Sequence, residues 1–344
     1  MTLTLPLWLL RGLSFVLLVG CVLLVVSLLV QGSRREARTL RDLAGLQEAF
    51  AALRVGAANP LRGRSARFHE LLVLRMSRNV SGPDAATLVR WCGEAGVVDR
   101  AVAWTTSRRW VTRARGVRLL ACLDVQPEVL LRMLADPRPE VRQQAAEHAP
   151  RSTGRARVAA LVRLFDDPDP GVRFAAMDSV ARCGEAAVSD LSVSLFVANR
   201  TETLLAALQV SLTVPSARLA YEAHQLCRST VPEVRGGALK LIATIPTAAG
   251  TAPERLLEGL GDPAAANRAV AAEGVGRLRH LSAAPKLAQL MQDSSWDVRR
   301  ASGVALYAMG ASGQIVLRQM TRSPDRYAAD MASLVLTASR MGRM

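Results

Sequence analysis

The chain has 344 residues, half of them hydrophobic and only 4% aromatic, a palette that favours helix over strand. Its five cysteines, Cys21, Cys92, Cys122, Cys183 and Cys227, are odd in number and form no CxxC pair, which argues against a disulfide framework and suits a reducing compartment. The formal charge of +15 is almost all arginine, since Lys240 and Lys286 are the only lysines; an Arg-biased composition on solvated faces and a surface for phosphate, anionic lipid or nucleic acid both satisfy it, and neither bears on fold.

The first predicted element is a membrane span. Gly12 to Val30 is uncharged and apolar, and as a helix it reaches about 28 Å, close to the thickness of a hydrocarbon core. Leu3–Leu10 extends it, with Arg11 placed to snorkel. The run is too long for a signal-peptide core, and the text after it, Val30-Gln31-Gly32-Ser33, has no A-x-A site, so a retained anchor is expected. Arg34, Arg35, Arg38 and Arg41 follow the span, and the positive-inside rule then places the remainder on the cytoplasmic side of a cell membrane crossed once. On that side the sequons Asn79-Val80-Ser81 and Asn199-Arg200-Thr201 have no use.

Residues 33–55 read as a helix leaving the membrane, with Leu43, Leu46, Phe50 and Leu53 at helical spacing. Ala57-Ala58-Asn59-Pro60 breaks it, and Arg62–Arg67 reads as a linker. Residues 64–96 form a degenerate pair of cap helices.

From about residue 97 the chain repeats. Asp136-Pro137…Val141-Arg142 recurs as Asp167-Pro168…Val172-Arg173, a step of 31; Val234-Arg235, Asp262-Pro263…Asn267-Arg268 and Asp293…Val298-Arg299 continue it. A column of small residues keeps the same frame, in steps of 31 except for 33 between Ala238 and Ala271: Ala114, Ala145, Ala176, Ala207, Ala238, Ala271, Ser302 and Ser333. Small side chains at one position per unit mark where two helices cross closely. Each unit reads as helix, tight turn, helix, with first helices carrying sets such as Leu130, Met133 and Leu134. In Asp169-Pro170 an N-cap acceptor precedes a proline at N1, where the missing N–H costs nothing, and Ser323-Pro324 repeats the device.

The text from Asp167 to Gly184 resembles the short HEAT repeat, particularly the version found in phycobilisome-lyase-type repeat proteins. That resemblance covers about residues 97–340. It implies an all-α fold, a right-handed α-solenoid of HEAT-type helix pairs, here preceded by one transmembrane helix. The expected organisation is 1–32 anchor, 33–63 juxtamembrane helix and linker, 64–96 cap helices and 97–344 repeat array. The unit at 196–213 departs, with Thr203-Leu204 for Val-Arg, and the first unit, with Trp110-Val111, also lacks the Arg.

The column Arg142, Arg173, Arg235, Arg268 and Arg299 admits two readings. One is a phosphate-binding ladder. The other is implied by the resemblance: with Asp136, Asp167, Asp262 and Asp293 each six residues before an Arg, these residues form the inter-repeat hydrogen-bond ladder that sets the stacking. The segment from Arg100 to Arg118 is crowded with arginine and has no acid. Either Trp104 and Trp110 fill the core of an ordinary repeat, or Arg108, Arg109, Trp110, Arg113, Arg115 and Arg118 form a basic, aromatic-edged patch for lipid head groups, a polyanion or an acidic partner. Trp296 and Tyr327 are expected as core and capping residues.

The residues supply no chemistry. His69, His148, His224 and His280 are dispersed, none has a metal-ligand spacing to Cys or carboxylate, and no GxxxxGK[ST], GxGxxG or GxSxG occurs. Asp166, Asp167 and Asp169 sit at a repeat turn as caps. No catalytic, cofactor-binding or metal residue is assigned, and no cofactor is expected. The function expected is a membrane-anchored scaffold for a protein partner, by analogy with accessory partners of bacterial membrane enzymes. A basic solenoid for polyanion or anionic lipid is the first alternative, with nucleic acid disfavoured by the anchor, and a bilin-lyase-like enzyme is the second.

Overall fold

A computed structural model describes residues 44–49, 51–52, 59–77, 79–148, 154–245 and 252–340, and every regular element among them is helical. The chain divides into two compact units, residues 1–103 and 104–344. The expected membrane span and the arginines at 34–41 lie outside the described residues; among those described, no helix is long and apolar enough to cross a membrane.

The first unit contains α1 (Ala66–Met76), α2 (Gly82–Glu94) and most of α3 (Val97–Thr105). Ser65 starts α1: its hydroxyl accepts a hydrogen bond from the Phe68 N–H at 3.2 Å, so helix begins inside the stretch the sequence suggested as linker. Leu61, Phe68, Leu72, Val73, Met76, Leu88 and Trp91 are buried here. So is His69, which bonds the Leu61 carbonyl through Nε2 and receives the Arg100 guanidinium at Nδ1, both at 2.8 Å.

The second unit opens with α4 (Trp110–Leu123) and continues in helix pairs: α5 (Pro127–Met133) with α6 (Pro139–Glu147), α7 (Arg155–Arg163) with α8 (Pro170–Cys183), α9 (Val188–Val197) with α10 (Thr201–Thr213), and α11 (Ala220–Leu226) with α12 (Pro232–Thr244). Then come α13 (Ala252–Gly259) with α14 (Ala265–Arg277), α15 (Ala284–Leu290) with α16 (Trp296–Ala308), and α17 (Ala311–Met320) with α18 (Arg326–Arg340). The second helix of each pair packs on the second helices before and after it. The small-residue column lies in these packings: Ala176, Ala207, Ala238, Ala271 and Ser302 are all inaccessible to solvent. At the α14–α16 packing a Cβ on Gly276 would stand 2.7 Å from the Ala305 backbone, so a side chain there would force the helices apart. Each fully buried Leu, such as Leu256, Leu260 and Leu287 in the C-terminal core, contributes roughly 1.5–3 kcal/mol by leaving water.

The 31-residue frame slips at both ends. Ser333 is exposed and bonds back to the Ala329 carbonyl, whereas Ala332 is inaccessible, so the last unit follows its neighbour by 30. In the first unit Ala114 is half-buried and Gly116 is buried, and Thr112-Arg113 occupies the Val-Arg place. The step to Val141-Arg142 is 29, and the first unit does carry its Arg. Trp296 and Tyr327 are not core residues: at 52% and 66% exposure they sit at helix starts, each beneath an arginine, Arg300 over Trp296 and Arg299 over Tyr327.

Candidate functional site

In four repeats the turn between helices is built by an Asp, and the ladder residues meet there. The Asp136 carboxylate accepts the Arg138 N–H at 2.9 Å, and the equivalent bonds run from Asp169, Ala264 and Ser295 to Asp167, Asp262 and Asp293. The Arg six residues after each Asp turns back to that turn through Nη1 and takes the Asp backbone carbonyl: Arg142 to Asp136, Arg173 to Asp167, Arg268 to Asp262 and Arg299 to Asp293, at 2.7–2.8 Å. Its other edge reaches forward, to the carboxylate of the next repeat. Arg142 grips Asp167 with Nε and Nη2 at 2.7 and 2.8 Å, Arg235 grips Asp262 at 2.7 and 2.8 Å, and Arg268 grips Asp293 at 2.8 and 2.9 Å. The side-chain pairs therefore join successive repeats, and the spacing of six marks a backbone contact.

Burial pushes the Asp136, Asp167 and Asp293 carboxyls up, but the guanidinium hydrogen bonds and turn N–H groups outweigh it and hold all three below the usual carboxylate range. At Asp262 the Arg235 fork is itself the largest influence, again downward.

The ladder is interrupted once. Arg173 binds the carbonyls of Asp167 and Pro168, Ala198 stands where its forward Asp would be, Leu204 where the next Arg would be, and Ser229 where the Asp of the repeat after that would be. Asp166 substitutes, accepting from Arg200 Nη1 and from the Thr203 hydroxyl, both at 3.0 Å. The ladder ends at Arg299, whose Nε is buried without a partner among the described residues, because Ser323 replaces the next Asp.

The basic segment divides into two roles. Arg113 grips Asp136 with Nε and Nη2, both at 2.7 Å, and binds the Ser107 carbonyl with Nη1 at 3.0 Å; it is the first rung of the ladder and is neutralised by an acid that the local sequence does not contain. Arg115 lies over the Trp104 ring at 5.0 Å. Arg108, Arg109 and Arg118 are exposed, and Trp110 is 36% exposed, so it does not fill the core. Arg108, Arg109, Trp110, Arg113 and Arg115 line a cavity of about 880 Å³ together with Arg138 of the following turn, while Arg118 lies apart from it. Arg138 escaped the sequence reading, although it stands 29 residues after Arg109, the step of this repeat.

A second cavity, about 790 Å³, lies between α7, α9 and the start of α10. On α9, Val188, Leu191 and Leu195 face inward, and Val193, Phe196 and Val197 form a second, exposed apolar row beside this cavity. A helix apolar on two faces is the signal that would have found this row in the sequence. Asp190, which lines the cavity, has a buried carboxylate oxygen without a hydrogen-bond donor among the described residues. Among those residues no group of His, Cys, Asp and Glu is gathered to hold a metal ion.

Helix pairs stacked second helix on second helix, with four arginines each tied to the aspartate of the next repeat, define a helical-repeat protein. Residues 127–213 and 253–336 match the family model of HEAT repeats, and the chain is a HEAT-repeat protein over those stretches. Among solved structures, it is similar to YibA of E. coli at 15% identity, over 77% of this chain and 99% of that one, with a TM-score of 0.44. An engineered protein shares 17% identity over 81% of this chain and 97% of its own, with a TM-score of 0.35. The complex of CpcE and CpcF of phycocyanin lyase from Nostoc sp. shares 19% identity over 70% of this chain and 94% of its own, with a TM-score of 0.32. No curated protein matches the chain in sequence.

Proposed function

We propose that this HEAT-repeat chain is a scaffold, anchored by residues 12–30 at the cytoplasmic face of a bacterial membrane, that holds a protein partner there as an accessory of a membrane enzyme. The observation that carries the partner reading is the exposed row Val193, Phe196 and Val197 beside the α7–α9 cavity. A surface helix needs one apolar stripe, and a second stripe rimmed by polar groups is the mark of a contact surface. Asp166, Asp190 and Arg200 supply that rim. The uncharged run 12–30 and the arginines that follow it support the anchor and its orientation. No catalytic role is proposed for any residue.

A photoreactive phenylalanine analogue at position 196 of the full chain, activated in native membranes, tests the proposal. It should yield one discrete protein adduct that the same probe at exposed Ser333 does not. Adducts with lipid alone, or the same scatter from both sites, would refute the partner surface. An active periplasmic reporter fused at the C-terminus would refute the orientation.

A further inference from the structure

Arg108, Arg109 and Arg138 converge on the cavity over the turns before α4 and α6, and none of the three makes an ion pair among the described residues. The cavity of about 880 Å³ is lined by no carboxylate. Asp136 of the second turn has both oxygens taken by Arg113, and Glu140 in the first turn of α6 does not line the cavity.

The placement of two of these arginines is costly to the helices they introduce. Arg109 and Arg138 are the N-cap residues of α4 and α6, and neither makes a side-chain cap bond. An N-cap favours Asp, Asn, Ser or Thr, whose oxygens accept the orphan N–H groups, and a cation there sits at the positive end of the helix dipole. The same chain solves this position otherwise elsewhere. Asp169 caps α8 by accepting the Val172 N–H at 3.0 Å, and Arg200 before α10 is neutralised by Asp166. Among the described residues, only in the first two repeats of the unit do arginines without an ion pair stand on adjacent caps, and there they line one cavity. Local choices that work against the fold while agreeing with each other point to a ligand.

We propose that this cavity binds a phosphate-bearing anion. A guanidinium presents a planar fork of donors that matches two phosphate oxygens at once. Arg109 and Arg138 hold the phosphate between the turns, Arg108 adds a third cation at the rim, and Trp110 provides an apolar wall for whatever the phosphate is attached to. The phosphate belongs to a lipid head group or to a free phosphoanhydride, and both present the same oxygens.

The test uses the purified full chain in zwitterionic detergent, titrated separately with inorganic pyrophosphate and with short-chain phosphatidic acid. The variant is Arg109→Gln with Arg138→Gln, and the control is Arg118→Gln, an exposed arginine outside the cavity. At least one probe should bind, in a salt-sensitive way, and losing each charge-assisted contact should weaken it about tenfold. The double variant should lose binding while keeping its helical content and melting temperature, and Arg118→Gln should bind as the parent does. Binding of both probes, or of pyrophosphate alone, assigns a free phosphate compound; binding of phosphatidic acid alone assigns a lipid head group. No binding of either probe would overturn the site, as would equal loss in Arg118→Gln or preference for an acidic peptide or RNA over both.

Discussion

The ladder aspartates each do two things, closing their own turn and receiving a fork from the repeat before. Asp167 and Arg142 are almost wholly buried, so removing the carboxylate strands a guanidinium away from water. Asp167→Ala should therefore destabilise the chain by about 3–5 kcal/mol, as expected when one partner of a buried pair is deleted. Asp178→Ala, which breaks the half-exposed i, i+4 pair with Arg182, should change stability by no more than about 0.5 kcal/mol. Urea denaturation of the two variants checks the contrast; equal effects would mean that the fork adds nothing beyond a surface pair.

Protonation separates these carboxylates from the histidines. The ladder carboxyls are depressed in the folded chain, so the unfolded chain binds more protons and stability rises with pH across that window. Their contribution is complete above the ordinary carboxylate value of about 4 and is lost as pH falls through the lower folded values. His69 and His224 are also depressed, first by burial and then, for His224 as for His69, by a neighbouring arginine, Arg255 and Arg100 respectively. Their contribution is complete above about pH 6.5 and is lost as pH falls through their lowered values. Melting temperature against pH should thus show two acid limbs, and replacing both histidines by Gln should flatten the upper one and leave the lower.

At the scale of the element, the helix pairs were legible because the chain marks each crossing with a small residue and each turn with an Asp. The frame failed at its ends for a physical reason. Turn length varies by one or two residues at the termini, and Ala-rich text offers a small residue at nearly every register, so Ala114 and Ser333 mimic the column that Gly116 and Ala332 occupy. Ala332→Leu should overpack the α16–α18 crossing and cost about 1–3 kcal/mol, while Ser333→Leu should be close to neutral. The reverse ranking in thermal melts would restore the step of 31. The role of Arg113 was hidden by the same slip, since its acid lies 23 residues away on another turn. The outward row of α9 was hidden because apolar residues on a helix read as core unless their angular positions are separated.

At the scale of the molecule, repeat arrays behave as a line of neighbours, each stabilised by the next. The second unit carries two ladders, from Arg113 to Arg173 and from Arg235 to Arg299, and the pair α9–α10 lies between them with the half-exposed Asp166 bonds in place of a buried fork. Amide exchange should be fastest among the interior helices there, with α8 and α14 more protected than α9 and α10. Uniform protection along the array would show that apolar packing alone sets cohesion. The sequence named the repeat but not its partner, because stacking constrains the inner face of each helix and leaves the outer face free to vary.

The loosely pinned pair has a mechanical consequence. Buried forks that clamp turn to turn resist shear and twist, whereas the half-exposed bonds of Asp166 to Arg200 and Thr203 that replace them compete with water and yield at less energetic expense. Tension applied across residues 104–344 would therefore concentrate as bending between Arg173 and Arg235, with each clamped stretch moving as a stiff lever. The exposed row on α9 sits at that point of flexure. Anything docked on it would be felt as a change in compliance, and would in turn be gripped or released as the two levers open and close.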